Sequence, residues 1–83
     1  MCYYKDKIDD EFGDAENYLY KAEALKDDDK EAADILKSLA EQELNHAMMI
    51  YKLGIRRKNE VDKEWFTRKY NKVKMQLDDY SKF

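Results

Sequence analysis

The sequence predicts an all-α fold in which two antiparallel helices form a hairpin and a third helix follows. The 83 residues include no proline and only two glycines. Charged residues make up 42% and hydrophobic residues 43%, a balance typical of amphipathic helices rather than of sheets or disorder. Apolar residues recur at spacings of three and four, the period of a helix with one buried face. A chain this short buries little surface alone, so we expect a single domain, residues 1–83, that associates with further copies.

The helices are predicted at about residues 3–26, 30–53 and 60–82. Three aspartates at 27–29 interrupt the apolar period, and one of them is expected to cap the second helix. Gly54 stands where a glycine commonly ends a helix. The periodicity assigns the inward faces as Ile8, Phe12, Ala15, Leu19, Ala22 and Leu25 in the first helix, Ala32, Ile35, Leu36, Leu39, Ala40, Glu43, Ala47, Ile50 and Leu53 in the second, and Phe66, Tyr70, Val73, Leu77 and Tyr80 in the third.

Charge is distributed unevenly along the chain. Residues 1–55 contain 7 basic and 14 acidic side chains, whereas residues 56–83 contain 9 basic and 5 acidic ones. This asymmetry favours charge pairing between helices or subunits. The net charge of −3 argues against nucleic acid as a partner. We see neither the apolar segment of a signal peptide nor a membrane span, so we expect a cytoplasmic protein without a membrane partner.

Glu43 and His46 form the most unusual feature of the sequence. Their spacing of three places both side chains on one helical face. Glu43 falls inside the predicted apolar stripe, with His46 at its edge. Burying an ionised carboxylate without a partner costs several kcal/mol. The sequence leaves three ways to avoid that cost: a metal ion, a Lys or Arg (for example from the third helix), or protonation of the carboxyl.

Glu11 is a second carboxylate that the periodicity turns toward the core, with Tyr18 two turns further along the same flank. In helical bundles, a di-iron or di-manganese centre takes one Glu from each of two helices and a Glu-x-x-His pair from each of two others. This chain contains half of that set, in Glu11, Glu43 and His46. A two-fold dimer would supply the other half and complete a four-helix bundle.

These residues resemble the first half-site of the ferritin-like superfamily, which includes ferritins and rubrerythrins. The layout of one hairpin followed by a separate helix looks most similar to the encapsulated ferritins, and it also resembles small ferritin-like proteins of phages and prophages. The resemblance implies that Glu11, Glu43 and His46 are metal ligands and that Tyr18 hydrogen-bonds beside them, with a catalytic role if the centre turns over. It further implies two iron or manganese ions per dimer.

Two functions follow as expectations. In the first, the protein handles iron at a di-metal site between two subunits, with ferroxidase activity as the reaction such a site would carry out. In the second, the protein is a structural or assembly module that keeps the ferritin-like hairpin without catalysis. The sequence leaves both open, because a fold alone does not fix an activity.

Overall fold

The computed structural model describes residues 3–59 and 61–81, and these ranges form three α-helices. Helix α1 spans Tyr3–Leu25, α2 spans Lys30–Arg56 and α3 spans Lys63–Ser81. The described residues contain no strand. The helices lie side by side in a rod of 46 × 17 × 17 Å, with α1 and α2 making the most extensive contact. The prediction of an all-α hairpin followed by a third helix is confirmed.

The turn between α1 and α2 contains the aspartate cap that the sequence predicts. The backbone N–H groups of Asp28 and Asp29 donate to the carbonyl of Leu25, at 3.1 and 2.7 Å. The Asp29 carboxylate then accepts a hydrogen bond from the N–H of Ala32 at 3.1 Å and caps α2. An aspartate suits this position because it satisfies one of the free N–H groups at the start of a helix.

The predicted end of α2 at Gly54 is wrong. The helix continues to Arg56, and Gly54 is buried where a Cβ would lie 3.3 Å from Val61 and 3.4 Å from Tyr4. Its role is therefore close packing rather than helix termination. The left-handed residue after the helix is Lys58, with a φ of 59°. The N–H groups of Lys58 and Asn59 donate to the carbonyls of Ile55 and Gly54, the hydrogen-bond pattern of a Schellman motif.

Helix α3 begins at Lys63, slightly later than predicted, because Asp62 occupies the capping position. The Asp62 carboxylate accepts from the N–H of Glu64 at 2.9 Å, and its carbonyl accepts from Phe66 at 3.0 Å. The predicted boundary residues Glu60 and Lys82 lie outside the described residues. Helix α3 packs on the hairpin of its own chain, which settles a question that its periodicity left open.

The core joins one face of each helix. Phe66 of α3 stacks on Tyr51 of α2 at 4.0 Å between ring centroids and also lies 5.6 Å from Phe12 of α1. The inward assignment of α3 is confirmed, since each of its five predicted residues is buried in this cluster or packed against it. None of the helices in the described ranges is long and apolar enough to cross a lipid bilayer.

The inward assignment of α2 is wrong for part of its length. The buried residues of α2 are Ala33, Ala40, Leu44, Ala47 and Gly54. Ile35 and Leu53 are 58% and 47% exposed. The predicted stripe was centred too far to one side, because α1 and α3 cover only one flank of α2. Leu25 at the end of α1 is likewise 37% exposed.

Candidate metal centre

Glu11, Glu43 and His46 lie together at the middle of the hairpin. The imidazole Nδ1 of His46 is 3.3 Å from Glu43 Oε1 and 3.6 Å from Glu11 Oε2. Both carboxylate side chains are only 18% exposed, whereas His46 is 52% exposed. One ligand atom from each of the three residues can be chosen so that all lie within 4.8 Å of one another. The structure thus brings together the three residues that the sequence suggested as metal ligands.

Within residues 3–59 and 61–81, no Lys or Arg side chain forms an ion pair with either carboxylate. Among the ion pairs of residues 3–59 and 61–81, Glu11 and Glu43 contact only His46. The Oε2 atom of Glu11 is buried and has no hydrogen-bond partner in that part of the chain. A buried oxygen without a partner is costly. Pairing of Glu43 with a Lys or Arg of its own chain, one of the three alternatives, is therefore not what the described structure contains.

Protonation of Glu43 moderates the cost of burying two carboxylates side by side. Burial is the largest cause that raises the pKa of Glu43, and a hydrogen bond to Glu11 together with the negative charge of Glu11 raises it further, to about 7. The nearby His46 opposes the rise, and the charge of Asp14 adds to it. Asp14 is a residue that the sequence analysis did not single out, although its spacing of three from Glu11 could have indicated it.

The cluster lies on the side of the hairpin away from α3. Helix α3 contacts α1 through Lys69 and Asp9, at 3.5 Å, and through Lys72 and Glu16, at 3.6 Å. At about 100° per residue, Glu11 projects well over 100° away from both of these α1 positions. The carboxylates are consequently shielded by their own hairpin but open toward the uncovered side.

Apolar residues surround the cluster on that uncovered side. We call Ile35, Leu39, Ile50 and Leu53 the outer stripe. They lie within about 80° of Glu43 on the flank of α2 that also carries His46, at 100° per residue. Leu39 and Ile50 are half-buried, whereas Ile35 and Leu53 are exposed. The cluster is thus bordered by an apolar surface that the described residues leave uncovered.

Tyr18 lies on the same flank of α1 as Glu11. Its ring is half-buried and packs against the edge of the core. Within the described residues the hydroxyl of Tyr18 has no hydrogen bond to Glu11. The hydrogen-bonding role of Tyr18 beside the metal therefore stays a prediction.

The donor set fits a transition metal such as iron or manganese. Carboxylate oxygens suit manganese, imidazole suits iron, and together they form the mixed set of carboxylate-rich centres in helical bundles. The unpartnered oxygen of Glu11 and the raised pKa of Glu43 indicate that the described residues compensate the negative charge here only in part. Helix α1 contributes one Glu and α2 contributes a Glu-x-x-His pair, which is half of a di-metal set.

Comparison with known proteins agrees with this geometry. A family model described as Rubrerythrin matches residues 5–81. The chain belongs to the rubrerythrin family. Proteins of this family have a ferritin-like helical fold, and membership implies the binding of iron or a similar metal. Neither the curated proteins nor the solved structures gave a match.

Proposed function

We propose that this rubrerythrin-family chain binds iron, or manganese, in a di-metal site formed between two copies. The observation that carries the proposal is the cluster of Glu11, Glu43 and His46, in which a buried carboxylate oxygen has no partner. Three ligands from one chain leave coordination positions open. A second copy related by two-fold symmetry would provide three more, and two-fold dimers are the commonest oligomers.

The surface around the cluster supports the same arrangement. The outer stripe flanks Glu43 and His46, so that two copies packed stripe against stripe would bring their ligand clusters face to face. Burial of apolar surface contributes roughly 25 cal/mol per Å². The dimer would therefore be stabilised by apolar contacts and by the metal at the same place. It would also complete a four-helix bundle from two hairpins, with each α3 on the outside.

Each side chain would then have a defined task. Glu11, Glu43 and His46 of each copy would hold the metal pair through their carboxylate oxygens and imidazole nitrogens. Tyr18 would hydrogen-bond beside the ligands and fix their orientation. The apolar residues of the stripe would exclude water from the carboxylates. When bound, the metal pair would supply oxidation of Fe(II) by dioxygen, the chemistry that defines a ferroxidase.

Anaerobic titration tests the proposal directly. Protein freed of metal is titrated with Fe(II), and its mass in solution is measured before and after. We expect saturation at one iron per chain and a dimer that the metal stabilises. Glu43→Ala should abolish saturable binding, whereas Glu41→Gln, on the exposed face of α2, should leave it intact. Binding that never saturates near one iron per chain would overturn the proposal.

An assembly module without turnover is the second candidate, and the outer stripe is the observation that favours it. Two of its apolar side chains, Ile35 and Leu53, are exposed in the single chain. The triple variant Glu11→Ala/Glu43→Ala/His46→Ala separates the two functions. A dimer that forms equally well with this variant would assign assembly to the apolar surface alone. A dimer that needs the three ligands would favour the metal-binding function.

A further inference from the structure

Two methionines of the described residues have equally exposed side chains in different surroundings. Met49 of α2 and Met75 of α3 are each 65% exposed. Met48, in contrast, is half-buried and packs against the core. A thioether that solvent reaches can be oxidised to a sulfoxide, whereas a packed one is protected. Met49 and Met75 therefore form a matched pair, in which accessibility is the same and only the neighbouring groups differ.

Met49 lies beside the ligand cluster. It follows His46 by three residues in α2, a spacing that brings the two Cβ atoms to about 5–6 Å. At 100° per residue Met49 projects about 60° from His46, and it lies about 40° beyond Ile35 and Leu53 at the border of the outer stripe. Its unbranched side chain rotates about three bonds, so that the sulfur can turn toward the imidazole. The thioether therefore stands at the edge of the candidate metal centre without being one of its three ligands.

Met75 lies on the opposite side of the molecule. Along α3 it projects about 160° from both Val73 and Leu77, which are buried in the core. Met75 therefore faces solvent on the outer side of α3. The ligand cluster lies on the side of the hairpin away from α3, so the hairpin separates Met75 from the ligands. An oxidant formed at the cluster meets Met49 directly and reaches Met75 only through bulk solvent.

The proposed oxidation of Fe(II) supplies an oxidant of the right class. When two Fe(II) ions each give one electron to one molecule of dioxygen, the addition of two protons yields hydrogen peroxide. Peroxide oxidises a thioether by transfer of one oxygen atom. The O–O bond breaks, a sulfur–oxygen bond forms, and the second oxygen leaves as water with both hydrogens. The sulfur loses two electrons and the peroxide gains two, so no further oxidant or reductant is required.

We propose that Met49 is a modification site, at which the thioether takes up an oxygen atom from hydrogen peroxide formed at the neighbouring metal centre. This inference rests on the proposed function and adds to it a side chain that consumes the peroxide before it is released. Free peroxide oxidises exposed thioethers slowly and without preference between equally exposed ones, so selectivity for Met49 arises only from proximity. Methionine sulfoxide reductases return the sulfoxide to the thioether, after which the side chain can act again.

Peptide mass spectrometry tests the selectivity. Metal-free protein is loaded with Fe(II) without oxygen, its iron stoichiometry is measured, and air is then admitted in the presence of catalase, which destroys peroxide released into solution. We expect at least about fivefold more sulfoxide at Met49 than at Met75. Iron-free protein treated with added hydrogen peroxide is the reference and should oxidise both residues to a similar extent, because they are equally exposed. Equal oxidation of the two residues in the iron-loaded sample would overturn the proposal.

Substitution of each methionine tests the balance of the reaction. Met49→Leu keeps the apolar surface but removes the sulfur, and it should leave the iron stoichiometry unchanged, because Met49 is outside the ligand set. With catalase omitted, this variant should release more peroxide than the original chain, by one molecule for each sulfoxide that the original chain forms at Met49. Met75→Leu is the matched control and should release as much as the original chain. Equal release from all three proteins would contradict uptake of peroxide by Met49.

Failure of this inference is separable from failure of the metal site. Absence of saturable Fe(II) binding in the anaerobic step overturns the proposed function, and the inference falls with it. Saturable binding followed by equal oxidation of Met49 and Met75 overturns the inference alone. Glu43→Ala, which lacks one ligand, should lose the preference for Met49, whereas Glu41→Gln should retain it. A preference that persists in Glu43→Ala would show that the oxidation does not depend on the metal centre and would likewise overturn the inference.

Discussion

Glu43 Oε1 lies 3.3 Å from Nδ1 of His46, one turn further along α2, and both groups face the uncovered side of the hairpin. The short distance follows from the i, i+3 spacing on one helix. Its effect on the charge of Glu43 depends on how deeply the side chain is buried. Glu43 is 18% exposed and shares its environment with a second carboxylate, Glu11. The two carboxylates and the imidazole therefore form a site that would favour a bound cation. Without a cation, two ionised carboxylates so close together repel each other.

Replacement of Glu43 by Gln should stabilise the metal-free chain at pH 8. The substitution removes a charge that is buried next to Glu11, and the expected gain in the free energy of unfolding is on the order of 1–3 kcal/mol. Urea unfolding at low protein concentration measures it. Glu41→Gln on the same helix is the matched control and should change stability by less than about 0.5 kcal/mol, because Glu41 is half exposed and only weakly paired with Lys37. A less stable Glu43→Gln chain would contradict the expectation.

The stability of the metal-free protein should fall as the pH rises toward neutrality. The pKa of Glu43 is about 7 in the folded chain against an ordinary value of 4.5, so the folded state binds more protons than the unfolded state between these limits. The stabilising contribution of the Glu43 carboxyl to the free energy of unfolding is fully present below about pH 4.5, declines as the pH rises through about 7 and is lost above that value. The difference between the original chain and Glu43→Gln, measured by unfolding at several pH values, isolates this contribution. Parallel stability curves for the two proteins would refute the assignment.

Iron binding should weaken in acid and should depend on His46. A carboxylate must lose its proton before it can bind metal, so the proton and the metal compete for Glu43. We expect the apparent affinity for Fe(II) to fall by about tenfold or more per pH unit below about pH 7. His46→Ala should weaken binding by at least about tenfold at pH 7.5 through loss of one ligand. Anaerobic titration measures both effects, and a pH-independent affinity would show that Glu43 is not a ligand.

Substitution of the outer stripe should affect association more than folding. Ile35 and Leu53 are 58% and 47% exposed in one copy, so Ile35→Gln/Leu53→Gln should change the free energy of unfolding of the single chain by less than about 1 kcal/mol. The same variant should weaken the dimer by about tenfold or more, as sedimentation would reveal. Met75→Gln, at a position 65% exposed on α3, is the control that should leave association unchanged. Equal dimer affinity in all three proteins would exclude the stripe as the interface.

The two glycines should respond differently to alanine. A Cβ at Gly13 would meet nothing within 4 Å in the described chain, so Gly13→Ala should stabilise the protein by about 0.5–1 kcal/mol through helix propensity. At Gly54 the same gain is opposed, because the Cβ would lie 3.3 Å from Val61 and 3.4 Å from Tyr4. We expect Gly54→Ala to be neutral or destabilising. Thermal or urea unfolding of both variants tests the difference, and an equal gain at the two positions would show that Val61 and Tyr4 do not restrict Gly54.

The sequence by itself determined the three helices and indicated the three side chains that the structure brings together, Glu11, Glu43 and His46. Local periodicity identified the buried face of α1, the seam of α3 and the aspartate cap of α2, because each depends on neighbouring residues. The same reasoning connected Glu43 with His46, since a spacing of three within a helix leaves few alternatives. It also related Glu11 to them across the hairpin, because a short turn holds α1 and α2 antiparallel.

Tertiary structure decided which flank of α2 is covered. As a result, part of the apolar stripe predicted to face the core is exposed instead. Periodicity gave Ile35 and Leu53 the same status as Ala40 and Ala47, because an apolar face looks alike whether its own chain or another chain covers it. Only the packing of α3 beside Phe12 and Tyr51 left the first pair exposed. The end of α2 was likewise decided by packing, since Gly54 is needed where Tyr4 and Val61 approach and Lys58 takes the left-handed turn. Residues close together in the sequence determine where a helix forms. Which of its faces is buried depends on how distant parts of the chain pack against it.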